Sequence, residues 1–372
     1  MRGGQVSPPE LGIRGADLSF AKKNRANFVN KTSQNCGTGQ QLGRWGRERD
    51  AISPESVRKG ASNMAFSDDD IIIGIDTGNR CIKTVSTAFV SGLKTFDTQP
   101  PFMGNVLQYN GKFFAQTNER GEYQRDKTKT DDYFAMSLIA IAQELNHRGV
   151  ATEYPVKVSL GVGLPPLHLP KLKKSFKEYF ERGGVTFSYN DRPYAIEIAD
   201  VQVFAQGYAA IFADFNEIKQ HPSAYIVDIG GYTTDVIALR YGKVDLSLCQ
   251  TLSYGLIHMY NDVVSHIQLE GLDTPSESML DNMLETRVEP IQGMLDILLA
   301  DANEYANKII RKIEELGISL MLSRGVFIGG GSAMLEEFIR NTGKTNNPIF
   351  IRDIHANACG YEAFMNTMRT RK

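Results

Sequence analysis

The chain has 372 residues, of which 42% are hydrophobic and 23% charged, and this composition is typical of a folded globular protein with roughly two to three domains. The 41 Lys and Arg residues nearly balance the 43 Asp and Glu residues, which excludes the strongly basic surface of a non-specific nucleic-acid-binding protein. No apolar run approaches the roughly 20 residues that span a bilayer. The four cysteines form no CxxC pair, so the sequence predicts a protein of the reducing cytoplasm without a disulfide framework.

The first 63 residues differ in composition from the rest of the chain. They contain 11 Lys and Arg against 5 Asp and Glu, together with nine glycines and no sustained apolar period. We expect residues 1–63 to be a flexible, disordered basic extension, or an upstream extension with Met64 as the natural start. An arm that contacts nucleic acid is the alternative.

A strand, a glycine-containing turn and a second strand occur twice, over residues 71–83 and 224–239. The apolar, β-branched runs that open both copies are typical of strands buried on both faces. Each opening strand ends in Asp-x-Gly, with Asp76 in the first copy and Asp228 in the second. Because glycine lets backbone N–H groups approach an anion closely, the repeat predicts two related halves that each present a phosphate-binding hairpin.

A third glycine run follows a predicted strand at 325–328. Gly329, Gly330 and Gly331 precede a helix that we expect to start near Ala333. A strand that leads through glycines into a helix N-terminus is typical of a phosphate-binding or nucleotide-binding edge.

The remaining patterns alternate between strand and helix and predict an α/β fold. Strands are expected at 156–161, 185–189 and 194–198, and helices at 171–182 and 201–215. Thr274-Pro275-Ser276-Glu277 predicts a capping box that opens a mostly helical stretch to Leu316, broken at Pro290.

Six segments resemble the motifs of the actin/Hsp70/sugar-kinase ATPases and, in closer detail, the bacterial actin-like plasmid-segregation proteins of the ParM/StbA type. The segments are IDTGNRCIK (75–83), VGLPP (162–166), VQVFAQGYAAI (201–211), VDIGGYTTDV (227–236), FIGGGSAML (327–335) and NACGYEAF (357–364). The resemblance covers about residues 70–372 in order. It implies a duplicated, ribonuclease H-like α/β fold with two lobes around a nucleotide cleft, lobe I over 64–240 and lobe II over 241–372.

The resemblance also implies site residues. Asp76 and Asp228 would face each other across the cleft and hold Mg²⁺ through water, and Lys83 would offer its ammonium group to the phosphates of ATP, or of GTP. Residues that would contact the phosphates are Thr77, Gly78, Asn79, Gly230, Gly231, Tyr232, Thr233 and Asp235. Gly329, Gly330 and Gly331 would lie against the adenosine.

A glutamine is expected to orient the attacking water. Six residues before the motif tyrosine Tyr208 stands Gln202, where actin has glutamine and the best-studied segregation actin has glutamate, and the resemblance implies this catalytic role for Gln202. Gln206, one helical turn further on, is the second candidate. A neutral amide orients water without taking its proton, as glutamine does in GTPases.

The function that the resemblance implies is an ATPase that polymerises into nucleotide-dependent filaments. Such a filament would drive plasmid DNA segregation through a DNA-binding adaptor on a centromere-like site, without specific DNA contacts of its own and without a membrane partner. The alternative is a small-molecule kinase or phosphatase of the same superfamily, which would need a carboxylate base for the acceptor hydroxyl.

Overall fold

The computed structural model describes residues 70–101, 104–152 and 154–370, and the chain from Ile71 onward forms one compact unit. The expectations for residues 1–63 lie outside the described residues.

Strands and helices alternate along the chain, as the sequence predicts. The strands are β1 (Ile71–Thr77), β2 (Cys81–Lys83), β3 (Ala88–Val90), β4 (Leu93–Phe96), β5 (Val106–Tyr109), β6 (Lys112–Gln116), β7 (Val156–Leu164), β8 (Gly184–Tyr189), β9 (Arg192–Ala205), β10 (Ser223–Ile229), β11 (Thr234–Arg240), β12 (Lys243–Val244), β13 (Gln250–Leu252), β14 (Arg324–Ile328) and β15 (Ile349–Phe350). The α-helices are α1 (Asp132–His147), α2 (Leu169–Phe180), α3 (Phe215–Ile218), α4 (Leu256–Leu269), α5 (Glu277–Thr286), α6 (Met294–Glu315), α7 (Gly329–Asn341) and α8 (Ala356–Arg369). Short 3₁₀ helices lie at Ala209–Ile211 and Leu246–Leu248.

The first sheet has nine strands in the order β3-β2-β1-β7-β9-β8-β5-β6-β4. Its centre is the parallel trio β1, β7 and β9, of which β1 and β7 are nearly continuous apolar runs buried on both faces. β1 and β2 form the first predicted hairpin, which sets Asp76 directly opposite Lys83. A large apolar cluster fills this lobe between the sheet and helices α1 and α2.

The second sheet repeats the same plan on a smaller scale. Its main order is β12-β11-β10-β14-β15, with β13 added to β11. β10, β14 and β15 are parallel, and β10 and β11 form the second predicted hairpin, with Asp228 opposite Asp235. The predicted duplication of a hairpin on a parallel core is therefore confirmed.

The expected boundary between the lobes at residue 240 is wrong. β10 and β11 belong to the second sheet, whereas the last helix, α8, returns to pack on β1 and β7 of the first. Glycines make this close packing possible, because a Cβ on Gly74 would lie 2.1 Å from the carbonyl oxygen of Ala358 and one on Gly163 would lie 1.8 Å from the hydroxyl of Tyr361. The first lobe is thus built from both ends of the described chain.

The helix expected over 201–215 is also wrong. β9 continues to Ala205, and the short 3₁₀ helix Ala209–Ile211 and α3 follow it. Val201 and Val203 are buried and alternate with half-buried neighbours, and both pair with the parallel strand β7. Their period of two is that of a strand, so pairing with β7 decides the structure here.

Two helix starts differ from the expected positions. α5 begins after Ser276, whose hydroxyl accepts a hydrogen bond from the N–H of Met279 at 3.3 Å, rather than at Thr274. α7 begins at Gly329 rather than near Ala333, so the glycine run forms its first turn. The predicted interruption near Pro290 is confirmed, because α5 ends at Thr286 and α6 starts at Met294.

Within the described part of the chain, no helix has both the length and the apolar character that crossing a bilayer requires.

Glu144 ties three parts of the first lobe together. Its fully buried carboxylate on α1 accepts hydrogen bonds from Thr84 and Ser86, in the turn after β2, and pairs with Arg148 at 2.7 Å. Arg148 also pairs with Glu362 of α8 at 2.6 Å. Burial alone would raise the pKa of Glu144, but the hydrogen bond from Thr84 and the charge of Arg148 bring it below its ordinary value.

We predict that Glu144→Gln lowers the free energy of unfolding by about 1–3 kcal/mol at neutral pH, because it removes charge-assisted hydrogen bonds in a buried site. The depressed pKa means that this stabilisation is complete above pH 4.5 and is lost as the pH falls through the folded-state pKa. The difference between the variant and the wild type should therefore shrink in acid. Urea unfolding at several pH values measures it, and Glu178→Gln, which alters an exposed pair with Lys174, is the control with an expected change of about 0–1 kcal/mol. An equal loss in both variants would contradict this account of Glu144.

Candidate functional site

A cleft of about 500 Å³ lies where the two hairpins meet. Its walls are the turns of both hairpins, the segment before α1, the first turn of α7 and the residues that lead into α8. Both sheets therefore contribute the carboxyl ends of their central strands to one cavity, which is where open α/β sheets bind ligands.

Two aspartates from different sheets are brought together in this cleft. Asp76 ends β1 and Asp228 lies near the end of β10, and both line the cavity. Asn357, at the start of α8, joins them: its Nδ2 lies 3.4 Å from Asp76 Oδ2, and it also hydrogen-bonds to Asp228. The Asn357 Oδ1 accepts a hydrogen bond of 2.8 Å from the N–H of Gly207.

Burial disfavours the ionised form of two carboxylates in the cleft, those of Asp228 and Asp235. Burial raises the pKa of Asp228 to about 7, and the nearby charges of Asp235 and Asp76 act in the same direction. Burial also raises the pKa of Asp235 to about 6, against hydrogen bonds from Thr251 and Thr233. Such a site favours a cation, since a divalent ion would restore the ionised form of both groups.

Two lysines reach the cleft. Lys83 lines it from β2, as the sequence predicts, and its charge lowers the pKa of Asp228 in part. Lys127 was not identified from the sequence, although its ammonium group enters the cavity and donates to the carbonyl oxygen of Thr77. Burial lowers the pKa of Lys127 to about 8, against the favourable charges of Asp76 and Asp235.

The first turn of α7 is suited to an anion. Gly329 has a φ of +86°, and a Cβ there would lie 2.4 Å from Asp228 Oδ1, so only glycine fits. No side chain caps the helix start, and no acidic residue occupies its first turn. Gly330 has open space where a Cβ would be, and the N–H groups at such a helix start form a ready site for an anion.

Most of the expected contact residues line the cleft. They are Asp76, Gly78, Asn79, Lys83, Asp228, Gly230, Gly231, Tyr232, Thr233, Asp235, Gly329, Gly330 and Gly331. Thr77 is not among the lining residues. Its buried hydroxyl has no hydrogen-bond partner among the described residues, and its carbonyl oxygen accepts from Lys127.

The expected position of Gln202 at the cleft is wrong. Gln202 lies within β9, and its side-chain amide donates to Asp200 at 2.8 Å, outside the cavity lining. Gln206, the second candidate, follows the end of β9, lines the cleft and donates from Nε2 to Asp76 Oδ1 at 2.8 Å. A helix over these residues would place Gln202 and Gln206 one turn apart on one face, whereas the strand β9 directs the side chain of Gln202 to Asp200.

Within residues 70–101, 104–152 and 154–370, no group of three or more His, Cys, Asp or Glu side chains is arranged to hold a metal ion. A site with two or three separate carboxylates suits Mg²⁺, which keeps several waters and takes few protein ligands.

Two family models match the chain, one for each half. Residues 74–208 match the N-terminal domain of actin-like proteins, and residues 226–341 match the C-terminal domain of the archaeal actin homologue MreB-like family. A comparison with curated protein sequences gave no match.

Solved structures with the same fold include actin-like proteins of archaea and bacteria. The archaeal actin homologue Ta0583 in complex with ADP superposes with a TM-score of 0.64 at 18% identity, over 80% of this chain and 99% of that chain. A 15-stranded ParM filament from Clostridium botulinum gives a TM-score of 0.64 at 19% identity, over 80% and 99% of the two chains. ParM of Bacillus thuringiensis with ATP gives 0.58 at 13% identity, over 82% and 100%.

The two family models together span most of the chain between residues 74 and 341. These residues contain both hairpin turns and most of the strands of the two sheets. The expected actin-like fold with two lobes is confirmed. Each half of the chain is thus similar to an actin-like family, and the chain has the fold of the actin-like ATPase superfamily.

Proposed function

We propose that the cleft binds ATP with Mg²⁺, that the protein hydrolyses the nucleotide, and that it assembles with copies of itself into nucleotide-dependent filaments. The observation that carries this proposal is the meeting of Asp76 and Asp228 at one cavity, with Asn357 between them and a glycine-rich helix start beside them. The ADP in Ta0583 and the ATP in the ParM of Bacillus thuringiensis support an adenine nucleotide, with GTP as the alternative.

The residues of the cleft fit a hydrated magnesium triphosphate. Asp76 and Asp228 would hold the ion through water, and the bound ion would neutralise charge on the phosphates. Asp235 lies opposite Asp228 and adds a third carboxylate. The hairpin turns at Gly78 and Gly230 would offer backbone N–H groups to the phosphates, while α7 would meet the nucleoside side of the ligand.

Gln206 has the geometry to orient the attacking water. Its Nε2 is held by Asp76, which leaves the amide oxygen of the same side chain as an acceptor for a water proton. Because an amide does not take the proton, its contribution is to position the water along the line of attack.

Filament assembly is proposed from the relatives rather than from the cleft. A ParM filament and the Alp12 filament share this fold, which supports self-association of the chain. We further propose a role in plasmid DNA segregation, with a DNA-bound adaptor protein that links the filament to a centromere-like site.

We predict that Asp228→Asn weakens magnesium-dependent nucleotide binding at least about tenfold, because one of the two facing carboxylates is lost. Isothermal titration calorimetry with ATP, with and without Mg²⁺, measures the change. Asp273→Asn, at an exposed loop position between α4 and α5, is the matched control and should bind as the wild type does. Unchanged magnesium dependence in Asp228→Asn would remove this carboxylate from the proposed ion site.

We predict that Gln206→Ala slows ATP hydrolysis by roughly 10- to 100-fold while nucleotide affinity changes little, since the residue positions water rather than the nucleotide. Phosphate release under saturating ATP measures the rate. Gln202→Ala is the control, because its side chain contacts Asp200 on the strand, and its turnover should match the wild type. The opposite result, with only Gln202→Ala slowed, would contradict the assignment.

We predict that ATP and Mg²⁺ convert the full chain from a soluble form into sedimenting filaments, which electron microscopy of negatively stained samples can confirm. ADP should support less assembly, because hydrolysis is expected to weaken the polymer. A protein that stays monomeric with ATP at micromolar concentrations, yet phosphorylates a small molecule, would favour the kinase alternative.

A further inference from the structure

The segment between β6 and α1, residues 117–131, crosses from one lobe to the other at the cleft; we call it the cleft-crossing segment. It belongs to the first lobe by its two attachment points, β6 and α1. Residues of this segment nevertheless form part of the cleft wall together with residues of both hairpin turns.

One end of the cleft-crossing segment is fastened to the second lobe. Arg120 pairs with Glu277 of α5 at 2.8 Å, and it also hydrogen-bonds to the hydroxyl of Tyr232. Tyr123 packs against Tyr232 with ring centroids 5.0 Å apart. Tyr232 lies in the turn of the second hairpin, so the segment contacts the loop that is proposed to bind phosphate.

The middle of the cleft-crossing segment is fastened to the first hairpin. The N–H of Gln124 donates to Asn79 Oδ1 at 3.0 Å, and the hydroxyl of Tyr133, in α1, donates to the same oxygen at 2.9 Å. Asn79 lies in the turn of the first hairpin. The segment therefore holds a fixed position relative to both turns.

Between these attachments, Lys127 points its ammonium group into the cleft. Of the three donors of this ammonium, the contacts of the described residues account for one, to the carbonyl oxygen of Thr77. The nearby charges of Asp76 and Asp235 favour the protonated lysine. The free-energy cost of burying the charged ammonium group of a lysine is tolerated where that group contacts an anionic partner.

The location of Lys127 indicates which end of the proposed nucleotide this lysine would contact. It lies beside Asp76, to which the water-orienting Gln206 is bonded, and this is the end at which the phosphate chain would be attacked. α7 and its glycines pack on β10 and β14 of the second sheet, whereas Lys127 belongs to a segment attached to the first lobe. A group near Asp76 and Gln206 would thus meet the terminal phosphate rather than the nucleoside.

We propose that Lys127 is a second phosphate-binding lysine, delivered by the cleft-crossing segment, that contacts the terminal phosphate of a bound nucleoside triphosphate. This inference rests on the proposed nucleotide binding. A triphosphate engages Lys127, whereas a diphosphate lacks the group that it contacts. The ammonium also lies where charge would accumulate during transfer of the terminal phosphate, as arginine fingers do.

The test compares affinities for two nucleotides in the full-length protein. Lys127→Met should weaken binding of a non-hydrolysable ATP analogue about 10- to 100-fold, the worth of a hydrogen bond to a charged group, and change ADP affinity less than about threefold. Lys129→Met removes an exposed lysine of the same segment and should bind both nucleotides as the wild type does. Calorimetry gives the affinities, and thermal unfolding of the nucleotide-free variants shows whether each is folded.

The outcomes separate this inference from the proposed function. Equal weakening for both nucleotides would show that Lys127 only supports Thr77 and would overturn the inference, as would unchanged affinity for both. Wild-type protein that binds neither nucleotide would overturn the proposed function itself.

Arg120→Gln provides a second test of the same inference. This substitution loosens the cleft-crossing segment from Glu277 at a partly exposed position, so it should lower the preference of the protein for the ATP analogue over ADP. A preference equal to that of the wild type in Arg120→Gln would also count against delivery by the segment.

Discussion

The burial of acidic side chains in one cleft is the main physical constraint on this structure. The ends of β1 and β10 carry Asp76 and Asp228 to a single cavity, and Asp235 adds a third acid from the neighbouring strand. Taking such groups out of water is costly unless positive charge or hydrogen bonds replace the solvent, and burial accordingly raises the pKa of Asp228. A protein retains an arrangement of this kind where a cation completes it.

The rest of the fold holds these acids in place. The parallel strands of each sheet end at one side of that sheet, and the ends of β1 and β10 bring Asp76 and Asp228 to one cavity. Asn357 fixes the junction, and it can do so because α8 packs tightly over Gly74 and Gly163 of the first sheet. Substituting either glycine would push α8 outward and move Asn357 with it. The position of Asn357 between the two aspartates therefore depends on how tightly α8 packs against the first sheet.

Much of this arrangement could be predicted from sequence, because its signals are local. Asp-x-Gly turns after apolar runs identified both hairpins, and the glycine run that forms the first turn of α7 identified the third wall of the cleft. The residues that escaped prediction depend on long-range contacts. Gln202 and Gln206 cannot be separated without knowing that β9 pairs with β7 as a strand, and periodicity over so few residues leaves helix and strand open.

The roles of Lys127 and Asn357 also depend on long-range contacts, so local sequence patterns do not predict them. Lys127 lies in a segment without regular structure, and its importance comes from where Arg120 and Gln124 fasten that segment. In the sequence, Asn357 is part of the motif segment 357–364, but nothing there predicts its contact with the two aspartates. Its role appears once α8 is seen to return to the first sheet, a topological fact that no local pattern carries.

The return of α8 also has a consequence for biosynthesis. The ribosome completes the strands of the first sheet before those of the second, but the helix that covers the glycine face of β1 and β7 emerges only after the second sheet. Domains of most proteins fold one after another as they are translated. Here the first lobe lacks the helix that covers this face until the second sheet has been synthesised, so the first lobe is completed after the second sheet rather than before it.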